Sequence, residues 1–103
     1  MKLTDILIEG KAFDEFAETR MKGAEKIANN AKEKGGPSML TYHHFKVKLP
    51  YYEKASKGSF DFEAAKKEFT ETLKKISLDM DQTSFQREVG RLEVLGELII
   101  KND

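Results

Sequence analysis

Apolar residues recur along this chain mainly at steps of three and four, the period of an α-helix. Phe13, Phe16, Ala17, Met21, Ala24, Ile27, Ala28 and Ala31 form one such stripe and predict a helix over about 12–34. Gly35-Gly36-Pro37 ends it, because glycine takes up the left-handed cap and proline cannot continue the helix. Ahead of it, Thr4 to Ile8 predicts a short helical turn stopped by Gly10.

The stretch 38–58 carries two periods at once. Tyr42, Phe45, Leu49 and Tyr52 keep helical spacing, whereas Phe45, Val47 and Leu49 alternate as a strand would. Pro50 is out of place in a central strand and kinks or breaks a helix. A helix over about 39–56, kinked or broken at Pro50 and closed by Lys57-Gly58, is the better reading.

In the next segment, Asp61 is a candidate N-cap and Phe60 a candidate staple onto Ala65. Phe62, Ala65, Phe69, Leu73 and Ile76 form its stripe. A polar link follows at 78–82, then Thr83 and Gln86 at capping-box spacing. The last helix, about 84–100, has a main stripe of Phe85, Val89, Leu92, Leu95 and Ile99. Val94, Leu98 and Ile100 fall outside it, so this helix is either the centre of the bundle or packs against a second molecule. Gly90 and Gly96 either permit close helix approach or are simply tolerated there. The expected fold is all-α: a small irregular bundle of four main helices, the third kinked or broken at Pro50.

Composition agrees. Lys, Glu, Leu and Ala make up 44 of the 103 residues, and there are only three valines. That length suits one domain, 1–103, with 1–10 as a short N-terminal segment. Eighteen basic and eighteen acidic side chains leave no net charge, which argues against a polybasic nucleic-acid or membrane binder. With no cysteine, disulfides, thiolate zinc sites and cysteine nucleophiles are excluded. No apolar run approaches membrane-helix length, and Asp5 interrupts what would be a signal peptide's apolar region, so a cytoplasmic setting is expected.

Phosphate-binding, dinucleotide-binding, nucleophile-elbow and zinc-protease motifs are all missing. Asp79-Met80-Asp81 begins like a calcium loop, but Thr83 and Ser84 stand where that pattern needs an oxygen ligand and then glycine; a polar turn explains it better. His43 and His44 are adjacent, hence about 100° apart on a helix, and lack the spacing of paired metal ligands. No catalytic residue, metal ligand or cofactor is assigned.

The most distinctive segment is 41–58. It holds both histidines, all three tyrosines and four lysines against one glutamate, and its surplus positive charge is balanced by residues 59–103. His43, His44, Lys48, Tyr51, Tyr52 and Lys54 are its candidate ligand or partner residues. Val94, Leu98 and Ile100 are the candidate self-association surface. The leading expectation is a non-enzymatic protein-interaction domain that self-associates. One alternative is nucleic-acid association through Lys46, Lys48, Tyr51 and Lys54, disfavoured by the neutral charge and the lack of arginine there. Another is a small-ligand or enzymatic site around His43, His44, Tyr51, Tyr52 and Glu53.

Overall fold

The computed structural model describes the backbone of residues 3–102 and the side chains of residues 12–101. The chain is all-α. Its helices are α1 (Leu3–Lys34), α2 (Met39–Lys46), α3 (Leu49–Ser56), α4 (Phe62–Lys75) and α5 (Gln82–Asn102). A turn of 3₁₀ helix at Gly36–Ser38 leads into α2. Because α2 and α3 are the two halves of the helix expected over 39–56, the four expected helices are all present.

The first helix is longer than its stripe predicts. Gly10 does not separate a short turn from it, and α1 runs unbroken from Leu3. A glycine inside a helix costs about 1 kcal/mol, less than the unfavourable step of nucleating a second helix beside it. The candidate side chains of 4–8 lie outside the described residues. At the other end the Gly35 amide donates to the Ala31 carbonyl at 3.1 Å, and Gly35 and Gly36 take positive φ as the stop signal requires.

The helix expected over 39–56 is interrupted at Val47-Lys48, just before Pro50. Proline in the first turn of α3 has no amide to leave unpaired, whereas further inside a helix its ring would press on the carbonyl four residues back. Val47 and Lys48 keep right-handed helical dihedrals, so α2 and α3 bend without losing phase. At the end of α3 the Ser59 amide reaches the Lys54 carbonyl at 2.9 Å and the Gly58 amide reaches Ala55 at 3.2 Å. This Schellman closure uses the positive φ of Gly58.

Asp61 caps α4 as expected, accepting from the Ala64 amide at 3.1 Å. Phe60 lies against Phe13 and Phe62, with ring centroids 6.0 and 4.8 Å away, and so ties the start of α4 to α1. The cap of α5 lies two residues ahead of the expected one. Asp81 accepts from the Ser84 amide at 3.1 Å, which leaves Gln86 free for a contact described below. A charged carboxylate at a helix N-terminus gains from the helix dipole as well as the hydrogen bond.

Packing runs in sequence across the molecule. α1 lies along α2 and α3, α2 lies on α5, and α5 lies on α4. The result is a slab with Cα extents of 51 × 31 × 16 Å, about two helices deep. Four buried residues of α1 are alanines (Ala17, Ala24, Ala28 and Ala31), so its backbone sits close to its neighbours. Tyr52 and Ala55 of α3, Ala65 of α4, and Val94, Leu95 and Leu98 of α5 complete the buried apolar set among the described residues. Half-buried rings from Phe13, Phe16, Phe45, Tyr51 and Phe60 pack around the core.

On α5 the buried line differs from the main sequence stripe. Val94 and Leu98 are fully buried within the chain, while Phe85 stays 36% exposed. Helix α5 is therefore the centre of the bundle, and the surplus apolar surface assigned to Val94 and Leu98 is consumed internally. On α4, Thr72 is buried and Leu73 is 54% exposed. The face toward α5 runs through Ala65, Phe69 and Thr72, at i, i+4 and i+7, which turns Leu73 away.

Gly90 is where α2 crosses α5. A Cβ built there would lie 2.3 Å from the His44 carbonyl oxygen and 2.7 Å from Val47 Cγ1. Gly23 on α1 faces open space, with nothing within 4 Å. Gly90→Ala is therefore expected to destabilise the fold by ~1–3 kcal/mol despite alanine's better helix propensity. Gly23→Ala is expected to stabilise it by ~0.5–1 kcal/mol. Urea unfolding of the two variants checks this difference in sign.

Candidate functional site

The distinctive segment sits in the middle of the slab, with α1 on one side and α5 on the other. Since α2 and α3 stay in phase, His44, Lys48 and Tyr52 line up at steps of four. Gln86, Gly90, Glu93 and Glu97 line up at i, i+4, i+7 and i+11 on α5. The two rows meet where Gly90 allows close approach.

His44 Nε2 lies 2.9 Å from Glu93 Oε2, and its Nδ1 lies 3.2 Å from Gln86. Lys48 Nζ lies 3.5 Å from the other Glu93 oxygen and 4.8 Å from the Phe45 ring centroid. Lys48 is only 7% exposed, unusual for a lysine. Tyr52 donates to Glu97 Oε1 at 2.6 Å, and Arg20 Nε approaches the same oxygen at 3.8 Å. A second group forms toward α4. Tyr51 donates to Glu68, and Arg91 lies 4.0 Å from Glu68 and 2.6 Å from Glu88. The second oxygen of Glu88 is buried without a hydrogen-bond partner.

These contacts shift the titrating groups. Burial lowers the His44 pKa and Lys48 lowers it further, outweighing the pull of Glu93 and Gln86 in the other direction. A neutral ring that donates through Nε2 to Glu93 accepts at Nδ1 from the Gln86 amide NH₂. A protonated ring donates at Nδ1 to the amide carbonyl, so Gln86 serves both states. Burial and the hydrogen bond to Glu68 push the Tyr51 phenol up to about 12. Burial and the bond to Glu97 raise Tyr52 as well. Tyr42 is half-buried, and its exposed hydroxyl accepts from Lys46 Nζ at 2.6 Å, which lowers its pKa.

The residues singled out from sequence thus separate. His44, Lys48 and Tyr52 meet α5, and Tyr51 meets Glu68 on α4. His43 is half-buried beside Tyr42, with ring centroids 5.2 Å apart. Lys46 and Lys54 are exposed. Glu53 pairs with Lys57 at 2.9 Å on the surface. Of the lysines of 42–57, Lys48 is buried while Lys46, Lys54 and Lys57 are exposed, and Tyr51 and Tyr52 turn to carboxylates on different helices. No group of three or more metal-ligating side chains occurs among the described residues. No described helix is long and apolar enough to cross a membrane.

Two features were not singled out from the sequence. One is a groove of about 510 Å³ between α1 and the α2–α3 bend, where Phe16, Arg20, Ile27, Phe45, Lys48 and Tyr52 share the lining with Glu97. Its sequence signal is Ile27, an apolar residue on the stripe of α1 that remains 41% exposed. The other is the turn between α4 and α5. Leu73, Leu78 and Phe85 are exposed there, with Leu78 fully so at 103%. Ile100, at the opposite end of α5, is 75% exposed. Comparisons with known protein families, curated proteins and solved structures find no match.

Two outcomes follow from the titrating groups. An imidazole harder to protonate in the folded chain than in the unfolded one contributes stability above its unfolded pKa, and that contribution is lost as pH falls through the folded pKa. The melting temperature should therefore fall between pH ~7.5 and ~5.5, and His44→Gln should reduce that fall, as differential scanning calorimetry at the two pH values would show. In an ultraviolet titration one tyrosine should ionise early, with Tyr51 following only at about 12 and Tyr52 not before it. Tyr42→Phe should remove the early step.

Proposed function

We propose that this chain is a non-enzymatic helical interaction domain of the cytoplasm that self-associates through the end of the slab formed by the α4–α5 turn. The observation that carries this reading is the exposure of Leu73, Leu78 and Phe85 around that one turn. Fully exposed Leu78, flanked along the chain by exposed Leu73 and Phe85, is apolar surface that a partner would cover. The polar groups that offered chemistry support it from the other side. His44, Lys48, Tyr51 and Tyr52 each bond a carboxylate of α4 or α5, so they brace the bundle.

Self-association suits the energetics of the chain. Among the described residues, only Val94, Leu95 and Leu98 are large apolar side chains buried completely. A small domain with so thin a core gains from covering further apolar surface. A two-fold contact brings the same patch of both copies together, so Leu78 of each copy would be covered at once. The cysteine-free composition is what supports a cytoplasmic setting.

Sedimentation velocity across a concentration series tests this. The chain is expected to move from a mass near 11.8 kDa toward twice that value as concentration rises. Leu78→Lys and Phe85→Lys, both at exposed positions, should keep it monomeric without loss of helical circular dichroism. A monomer at every concentration up to the hundred-micromolar range would overturn the proposal.

A further inference from the structure

The groove between α1 and the α2–α3 bend has a chemistry of its own, separate from the α4–α5 turn. Its volume, about 510 Å³, lies within the range of small-ligand sites. Phe16, Ile27 and Phe45 supply apolar wall, and Arg20, Lys48 and Glu97 supply charge.

The two cations are incompletely engaged. The Lys48 side chain is only 9% exposed, yet its ammonium meets a carboxylate only at 3.5 Å. That carboxylate, Glu93, stands outside the groove lining and holds His44 more closely, at 2.9 Å. An ammonium has three hydrogens to place, and leaving them poorly placed in a buried position is costly. Arg20 stacks 5.3 Å from the Phe16 ring centroid and reaches Glu97 only at 3.8 Å. Glu97 meanwhile holds its short bond to Tyr52, at 2.6 Å. The lining therefore has two cations to one carboxylate, next to apolar surface that includes the exposed part of Ile27.

We propose that this groove binds a small amphipathic monoanion, a carboxylate on an apolar chain or ring. Its oxygens accept hydrogens from the Lys48 ammonium and the Arg20 guanidinium, and its apolar body covers Phe16, Ile27 and Phe45. The charge selects the class. With Glu97 against two cations the lining carries one net positive charge, which a monoanion neutralises and a dianion such as a phosphate monoester would overcompensate. A strongly hydrophilic anion would also leave the rings and Ile27 uncovered. Charge-assisted hydrogen bonds to two cations are the part of the binding energy that a neutral analogue lacks.

Decanoate is a suitable probe, with decanol as its neutral counterpart, added to the full chain and followed by two-dimensional amide NMR at neutral pH. Decanoate is expected to shift the amides of Gly23, Ala24, Ile27, Phe45 and Lys48 with a Kd between micromolar and millimolar. Decanol and the Arg20→Gln variant should each bind ~10-fold more weakly, and Lys48→Met should abolish the response. Because Lys48 is part of the brace to Glu93, Arg20→Gln, at a half-exposed side chain, keeps the test decisive if Lys48→Met fails to fold. Shifts centred elsewhere, equal binding of decanol and decanoate, or unchanged affinity in Arg20→Gln would each overturn the proposal.

Discussion

The crossing of α2 over α5 at Gly90 is the constraint on which the rest of this structure depends. No side chain fits between the helices there, since the His44 carbonyl occupies the place of a Cβ. That closeness brings His44 and Lys48 to Glu93, and one turn further on brings Tyr52 to Glu97. It also places α5 between α2 and α4, so Val94, Leu95 and Leu98 are covered from more than one side.

Such a bundle relies on polar contacts more than its helix content suggests. The buried residues of α1 among those described are alanines, which bring helices close but bury little apolar area each. Half-buried aromatic rings and bonds from tyrosine, histidine and lysine to carboxylates fix the register that the small core leaves loose. Such bonds add modestly to stability but are costly to break once one partner is buried. The same economy leaves two surfaces open, an apolar end at the α4–α5 turn and a mixed groove beside α1.

Much of this fold was legible in the sequence because helix stripes, caps and breakers act locally. The run from Phe13 to Ala31, the stop at Gly35-Gly36, the Asp61 cap and an interruption of the third helix near Pro50 all depend on residues within a few positions of one another. Where local signals competed, the structure chose between them. Gly10 yielded to helix propagation, and Asp81 displaced Thr83 as the cap of α5. The bonds that the distinctive segment makes to α4 and α5 were not legible, because their partners lie 17 to 49 residues away. Two hints were present. The positive surplus of 41–58 is compensated in 59–103, and Gln86, Glu93 and Glu97 share the face of α5 that carries Gly90. Neither hint indicates which carboxylate meets which tyrosine. That depends on how the helices cross, which Gly90 permits without naming the partner helix.

The claim that α5 is the hub is tested most directly by native-state hydrogen exchange. If α5 is held on both sides through the Gly90 crossing, the amides of Val94 to Leu98 should exchange most slowly, opening only with global unfolding. The first turns of α4 should open earlier. Slowest exchange in α1, with the Val94 to Leu98 amides opening in a separate, less costly step, would contradict the account.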